Sequence, residues 1–415
     1  MRNQKRWSPA LAVATLGALV PGAAAGQDRL PAATGSSQSA AFRPQGLPAG
    51  GFRIYPTLRL STDYDDNISR SNDNGRGDGS FVIAPTVAAR SNWSSHQLNA
   101  DAYYRSTHYF KRTEQDHDEY GASASGRLDV MRTTKLNGNV GYARMAERRG
   151  TPGDLFISNR LIRYDTYNAK GQVSHQFNRI GVTAGAGTAG YRYDNTKTQG
   201  VVIDQQFRNR DISTANGRIA YQYSALTNIF VSGSYNDTNY SRARPTFNRS
   251  SKGFNVLGGV RFELSRLLSG QIGVGYIRQK FTDDRFSDFG CANYDLSINY
   301  RPTELTSLSL TAGRSLTDSA LFQVVGVLTN DIDISVEHEL LRNLVLQGSA
   351  GYSHYTYRGI SRNDNRYNLG VGARYRMNRL ISAVLSGDRV AQDSGDVAGR
   401  KYTSNRVTLS LLLTR

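Results

Sequence analysis

Cysteine is nearly missing: Cys291 stands alone in 415 residues. That excludes an intrachain disulfide, a cysteine cluster for a metal, and an acylated cysteine after a secretion signal. Apolar runs are also scarce. The apolar share is 38%, and beyond the N-terminus no run approaches the ~20 residues that a spanning helix needs. Any membrane span must therefore be built from strands. Histidines are few and scattered (His96, His108, His117, His175, His338 and His354), with no pair at ligand spacing. Gly-x-Ser-x-Gly, His-Glu-x-x-His and phosphate-loop patterns are absent. The expectation is a non-enzyme with no cofactor and no metal, although a Ser and a His adjacent on neighbouring strands would escape a reading of sequence.

Lysine is scarce while cations abound. Lys and Arg total 51 against 34 acids, for a net charge of +17, and only eight of the 51 are lysine. Arginine's planar fork suits phosphate and carboxylate. Such a surface fits lipopolysaccharide phosphates outside or an acidic polysaccharide inside, though loop solvation alone explains much of it. Nucleic acid is set aside as a partner, because the N-terminus reads as a secretion signal: basic "MRNQKR", apolar "ALAVATLGALV", then Ala23-Ala24-Ala25. The expected organisation is a signal peptide over 1–25, a flexible periplasmic lead-in over 26–50, and one domain over 51–415.

That domain is repetitive. Small-then-Tyr or polar pairs recur at Asp63-Tyr64, Tyr103-Tyr104, Gly141-Tyr142, Gly190-Tyr191, Ser234-Tyr235, Gly275-Tyr276, Gly313-Arg314, Gly351-Tyr352 and Gly387-Asp388. The period alone would also suit a propeller. Two alternating kinds of connection decide otherwise. Tight turns ("SNWSS", "RTT", "SALT", "SRLLS", "RPTEL", "LLRN", "MNR") alternate with long polar loops such as "DDNISRSNDNGRGDG", "RRGTPGDLFISNR", "RARPTFNRSS" and "RGISRNDN". Short turns on one side and long loops on the other mark an antiparallel transmembrane β-barrel in an outer membrane, here of about eighteen strands.

Within strands the period is two. "DNRYNLGVGARYRM" sets Tyr367, Leu369, Val371, Ala373 and Tyr375 on one face and Asn368, Gly370, Gly372, Arg374 and Arg376 on the other. The apolar set is expected to meet lipid and the polar set a wet lumen. Lumen candidates by parity are Arg59, Asp101, Arg105, Arg127, Asp129, Lys170, Arg218, Arg261, Glu263, Asp295, Arg301, Glu337, Arg374, Arg376 and Arg406. Their mixed signs leave open a transverse field or mutual pairing. Tyr104, Tyr142, Tyr235, Tyr276 and Tyr352 share the apolar parity near the loop side, as an interfacial girdle would. Pro85 lacks a ladder donor and predicts a bulge. His338 and His354 fall on the lipid side unless the register slips there. "TEQDHDE" (Thr113–Glu119) could bind a cation or be a solvated loop. The last strand, "NRVTLSLLLTR", is expected to close the ring against the strand beginning near Gly51.

Strands of the "VGYAR", "VGYIRQKF" and "AGYSHYTY" type, with this hairpin plan, resemble the putative β-barrel porin type 2 family over roughly Gly51–Arg415. Arg415 stands where outer-membrane barrels usually end on an aromatic residue. The resemblance implies a role in exopolysaccharide or capsule export, as a conduit or wall with periplasmic export components as partners. The alternative is a passive diffusion porin for small solutes.

Overall fold

The computed structural model describes residues 42–72, 75–151, 154, 158, 160–198, 200–241, 248–319, 321, 323–395 and 401–415. The expected signal segment and most of the expected lead-in lie outside these. Among the described residues no helix is long and apolar enough to cross a membrane.

The main-chain ladder explains the architecture. Strands that cross lipid must pair every backbone group, which an open edge cannot do. The wall strands in order are β2 (Phe52–Asp65), β3 (Asp78–Ser91), β4 (Gln97–Tyr109), β5 (His117–Asp129), β6 (Thr134–Ala146), β7 (Arg163–Phe177) and β8 (Ile180–Tyr193). After a loop carrying the short hairpin β9 (Thr196–Thr198) and β10 (Val201–Ile203) come β11 (Arg210–Gln222), β12 (Thr227–Tyr240), β13 (Ser251–Glu263), β14 (Leu268–Phe281) and β15 (Phe289–Thr303). The wall finishes with β16 (Thr306–Thr317), β17 (Gly326–Leu341), β18 (Leu344–Arg358), β19 (Arg362–Arg376), β20 (Ile381–Ser394) and β21 (Tyr402–Thr414). Each pairs antiparallel with the next, and β21 pairs with β2 from Thr57↔Thr414 to Asp65↔Arg406. The result is a closed barrel of eighteen strands, with a three-residue stub, β1 (Leu47–Ala49), added to the nineteen-stranded sheet through β2. That stub sits within the stretch expected to be a flexible lead-in.

Two further expectations need correction, and one alternative is decided. Pro85 makes no bulge: β3–β4 pairing stops after Ile83↔Ser106 and resumes at Thr86↔Tyr103 in the same register. The missing N–H removes a rung without inserting a residue. Register shifts occur instead at Tyr300/Thr303 and Glu339/Leu341. "RGISRNDN" is mostly strand, because Arg362–Asn365 already pair with β18. His338 and His354 keep the outward parity with no slip, His338 Nδ1 lying 2.9 Å from Thr306 Oγ1 and His354 Nδ1 2.8 Å from Asn365 Oδ1.

The molecule is apolar outside. Val371 is 70% exposed and Val274 65%, values that water would penalise and lipid would not. The buried apolar clusters lie inside, towards the long-loop end: Ile162 with Tyr191, Tyr193 and Ile212, and Val324 with Val327, Tyr355 and Tyr357.

Candidate functional site: the lumen and its outer mouth

Cross-strand partners share a face, so the ladders trace one continuous surface around the ring. Arg59 pairs with Ala84 and Leu412, Asp101 with Ser123, Lys170 with Asn139 and Gly187, Arg218 with Ser232, and Arg261 with Gln271. On the far side Asp295 pairs with Gly313, Glu337 with Gln347, Arg374 with Val345, and Arg406 with Asp388. Arg105, Arg127, Asp129, Glu263 and Arg376 fall on the same surface through Glu119, Asn137, Lys135, Ser269 and Ser382. Arg301, beyond Asn299, sits at its short-turn rim. This surface is the inner one, because a loop from across the ring reaches it, as described below.

Some inner charges neutralise one another. Arg90 and Asp101 pair at 2.5 Å and Arg127 with Asp129 at 3.1 Å. Arg218 donates to Gln271 Oε1 at 2.9 Å, Gln271 donates to Asp295 at 2.9 Å, and the Arg218 guanidinium lies 3.7 Å over the Phe230 ring. Tyr104, Tyr142, Tyr235, Tyr276 and Tyr352 occupy the outer face near the long loops. Tyr104 and Tyr142 donate to Asp118 and Asp165 at 3.0 and 2.7 Å. A second outer-face set, Tyr221, Tyr300 and Tyr375, stands near the short turns. Its parity was equally visible in the sequence.

Sequence reading missed the outer mouth. Four loops converge there, from strands nearly opposite in the ring. Arg208, in a 3-10 turn (Gln206–Arg208) before β11, is 1% exposed. It donates to both Glu147 oxygens, at 2.8 and 2.9 Å, and to Asp318 Oδ2 at 3.0 Å. Asp318 also accepts from Arg210 at 3.2 Å, Arg249 at 3.4 Å and the Tyr240 hydroxyl at 3.2 Å. One carboxylate thus ties the β16–β17 loop to the β8–β11 loop, the β12–β13 loop and the end of β12. Aromatic rings fill the remainder: Arg208 stacks 3.9 Å from the Tyr193 centroid and Arg210 4.4 Å from that of Tyr191.

Charge state follows from this packing. Burial alone would raise the Asp318 pKa, but Arg210, Arg208 and Arg249 outweigh it and bring the carboxyl down to about 2. Burial opposes the Arg208 charge, yet Glu147, Tyr193 and Asp318 keep its pKa well above the guanidinium norm. Glu147 goes the other way, pushed up by burial despite Arg208. Burial also lowers the pKa of Arg249, the most distant of the three arginines that meet Asp318.

The β6–β7 loop crosses to the opposite wall. The Gly150 carbonyl accepts from Arg366 Nη1 of β19 at 3.1 Å. Gly150 has φ +78°, and a Cβ there would lie 2.2 Å from the hydroxyl of Tyr402 on β21. Only glycine combines that backbone with that approach. Asp154 braces the bend, accepting from the Gly150 N–H at 2.9 Å and from Arg149 at 3.3 Å.

The acidic run Thr113–Glu119 does not converge. Asp116 accepts from the Tyr109 N–H, Asp118 from Tyr104 and Ser106, and Glu119, on the inner face, from the Ala146 N–H. Among the described residues no group of three or more His, Cys, Asp or Glu could hold a metal.

A closed ring with an apolar exterior and polar interior is an outer-membrane architecture. Solved structures similar to it include a variant of the ferric enterobactin receptor PfeA from Pseudomonas aeruginosa (8% identity, 87% of this chain and 80% of that one, TM-score 0.46). Another is the siderophore receptor PirA from Acinetobacter baumannii (5%, 87% and 80%, 0.46). A third is OccK2 (OpdF) from Pseudomonas aeruginosa (11%, 88% and 98%, 0.47). No curated protein matches the sequence. Residues 39–415 match the family described as putative beta-barrel porin 2, and the chain belongs to that family.

Proposed function

We propose that this barrel passes small solutes across the outer membrane and that its own loops control the outer mouth. The observation that carries this reading is the contrast between the two levels of the interior. The wall is lined along its length by polar and charged side chains, as a wet lumen requires. Its outer end is crossed by loops joined through nearly fully buried ion pairs. Eighteen strands leave room for an aqueous channel unless loops fold inward, and here they do. Lipid against the apolar exterior, and lipopolysaccharide phosphates against outward bases such as Arg278 and Lys280, are the partners this reading supplies. Export of surface polysaccharide rests on the family resemblance alone, and no residue placement favours it over solute passage.

The test is swelling of liposomes carrying the refolded chain, driven by neutral sugars of increasing size. Compared with the intact chain, one whose 148–161 segment is replaced by a short Gly-Ser link is expected to admit arabinose faster and to retain a size limit. No swelling with either chain would overturn the passage reading.

A further inference from the structure

The inner charges are not mixed evenly. On its inner face β17 carries Asp331, Asp333, Glu337 and Glu339 and no base, whereas two strands away β19 ends in Arg374 and Arg376. Between them β18 contributes only neutral groups at this height. Glu339 pairs in register with Val345 and Val345 with Arg374, while Glu337 pairs with Gln347. Opposite charges on adjacent strands of this barrel can meet, as Arg90 and Asp101 do. Two strands apart, the backbones are about 10 Å from each other, and here the charges do not meet.

These side chains are nevertheless sheltered. Arg376 is 5% exposed, Glu339 7% and Val345 1%. The Arg376 Nη1, Arg374 Nε and Glu337 Oε1 atoms are buried without a hydrogen-bond partner among the described residues. Glu337 is held only through its other oxygen, which accepts from Gln347 Nε2 at 3.0 Å. Sheltered charges without partners are costly. A molecule with a cation at one end and an anion at the other supplies both countercharges at once, and guanidinium–carboxylate contacts are among the stronger hydrogen bonds available.

We infer that this strip of inner wall, between β17 and β19, is a binding site for a small zwitterion of the amino-acid or dipeptide class. Its ammonium group faces the partly exposed Glu337 and its carboxylate the partly exposed Arg374, with the buried Glu339 and Arg376 adding charge of the same sign on each side. The ends of a dipeptide are roughly 6 Å apart, which suits a gap of two strands narrowed by side chains reaching from both sides. This inference rests on the passage reading, for which it names a solute.

Equilibrium dialysis of the detergent-refolded chain with glycylglycine, N-acetylglycylglycine and glycylglycine amide tests it. Glycylglycine is expected to bind about tenfold more tightly than either blocked form, the size of one lost charge contact in a sheltered site. Glu337→Gln with Glu339→Gln should erase the preference for a free amine, and Arg374→Gln with Arg376→Gln the preference for a free carboxylate. Equal binding of the three peptides by the unaltered chain, or binding of none, overturns the inference without any variant having to fold. Arabinose swelling separates the two claims. Swelling without zwitterion preference removes the site and keeps the passage reading; zwitterion preference without swelling does the reverse.

Discussion

Asp318→Asn is the most informative single change at the mouth. It keeps the shape of the side chain and removes the charge that three arginines share. Arg208, Arg210 and Arg249 then face Glu147 alone, and the Glu147 contacts are to Arg208. Removing one partner of a buried ion pair costs about 3–5 kcal/mol, because the other charge is left uncompensated. The strand ladders do not depend on this carboxylate, so the cost should fall on loop docking. At 1.4 kcal/mol per factor of ten, the open-to-docked ratio should rise by roughly 100- to 3000-fold. Hydrogen exchange reads this directly. Amides around Gln205–Arg210 and Leu321–Val325 should lose about two to three orders of magnitude of protection, while central amides of β18 and β19 keep theirs. Unchanged loop protection would refute the latch, and loosening that spreads equally into the strands would refute its local character.

Three further outcomes follow from the same structure. The depressed Asp318 carboxyl contributes docking stability that is present above its ordinary value near 3.8 and lost as pH falls through about 2; a shift of this size corresponds to about 2 kcal/mol. Glu147, pushed up by burial, acts in the opposite sense. Loop protection should therefore persist to about pH 4 and collapse nearer 2, with mouth opening at pH 5–6 as the contrary result. Gly150→Ala, at φ +78° and against Tyr402, should cost about 1–3 kcal/mol locally and expose the β6–β7 loop to protease while the barrel stays intact. Val371→Arg, on the outer face of β19, should cost about 2–4 kcal/mol of folding stability in bilayers if it lies near the midplane. Asn368→Arg, on the inner face of the same strand, should cost under about 1 kcal/mol by urea unfolding, and equal costs would contradict the assigned parity.

Much of the wall was legible in the sequence because side chains alternate faces with a period of two, and one face must suit lipid. That rule alone puts Leu369 and Val371 on one side of β19 and Arg374 and Arg376 on the other, as the ladders do. The mouth was not legible, because its members are far apart in the chain: Arg208 meets Glu147 61 positions away and Asp318 110 positions away. A loop acid carries no periodic signal, and the loop beginning at Asp318 was not among those that stood out as long. Strand ends misled for a related reason. Arg362 and Asp364 read as loop because they are charged, yet Asp364 is fully buried, accepting from Arg362 Nε at 2.9 Å and from Tyr357 at 3.1 Å. Beyond the lipid, inner charges that pair with one another let a strand continue where composition suggests that it stops.

Conductance of the unaltered chain in a planar bilayer reads whether docked loops govern the outer end of this wide, polar barrel. With the loops docked, conductance is expected to be low near neutral pH and to rise to the large level of an open barrel on acidification towards pH 2 or on Asp318→Asn substitution. A large, steady, ohmic conductance at neutral pH, unaffected by either change, would contradict control by the loops.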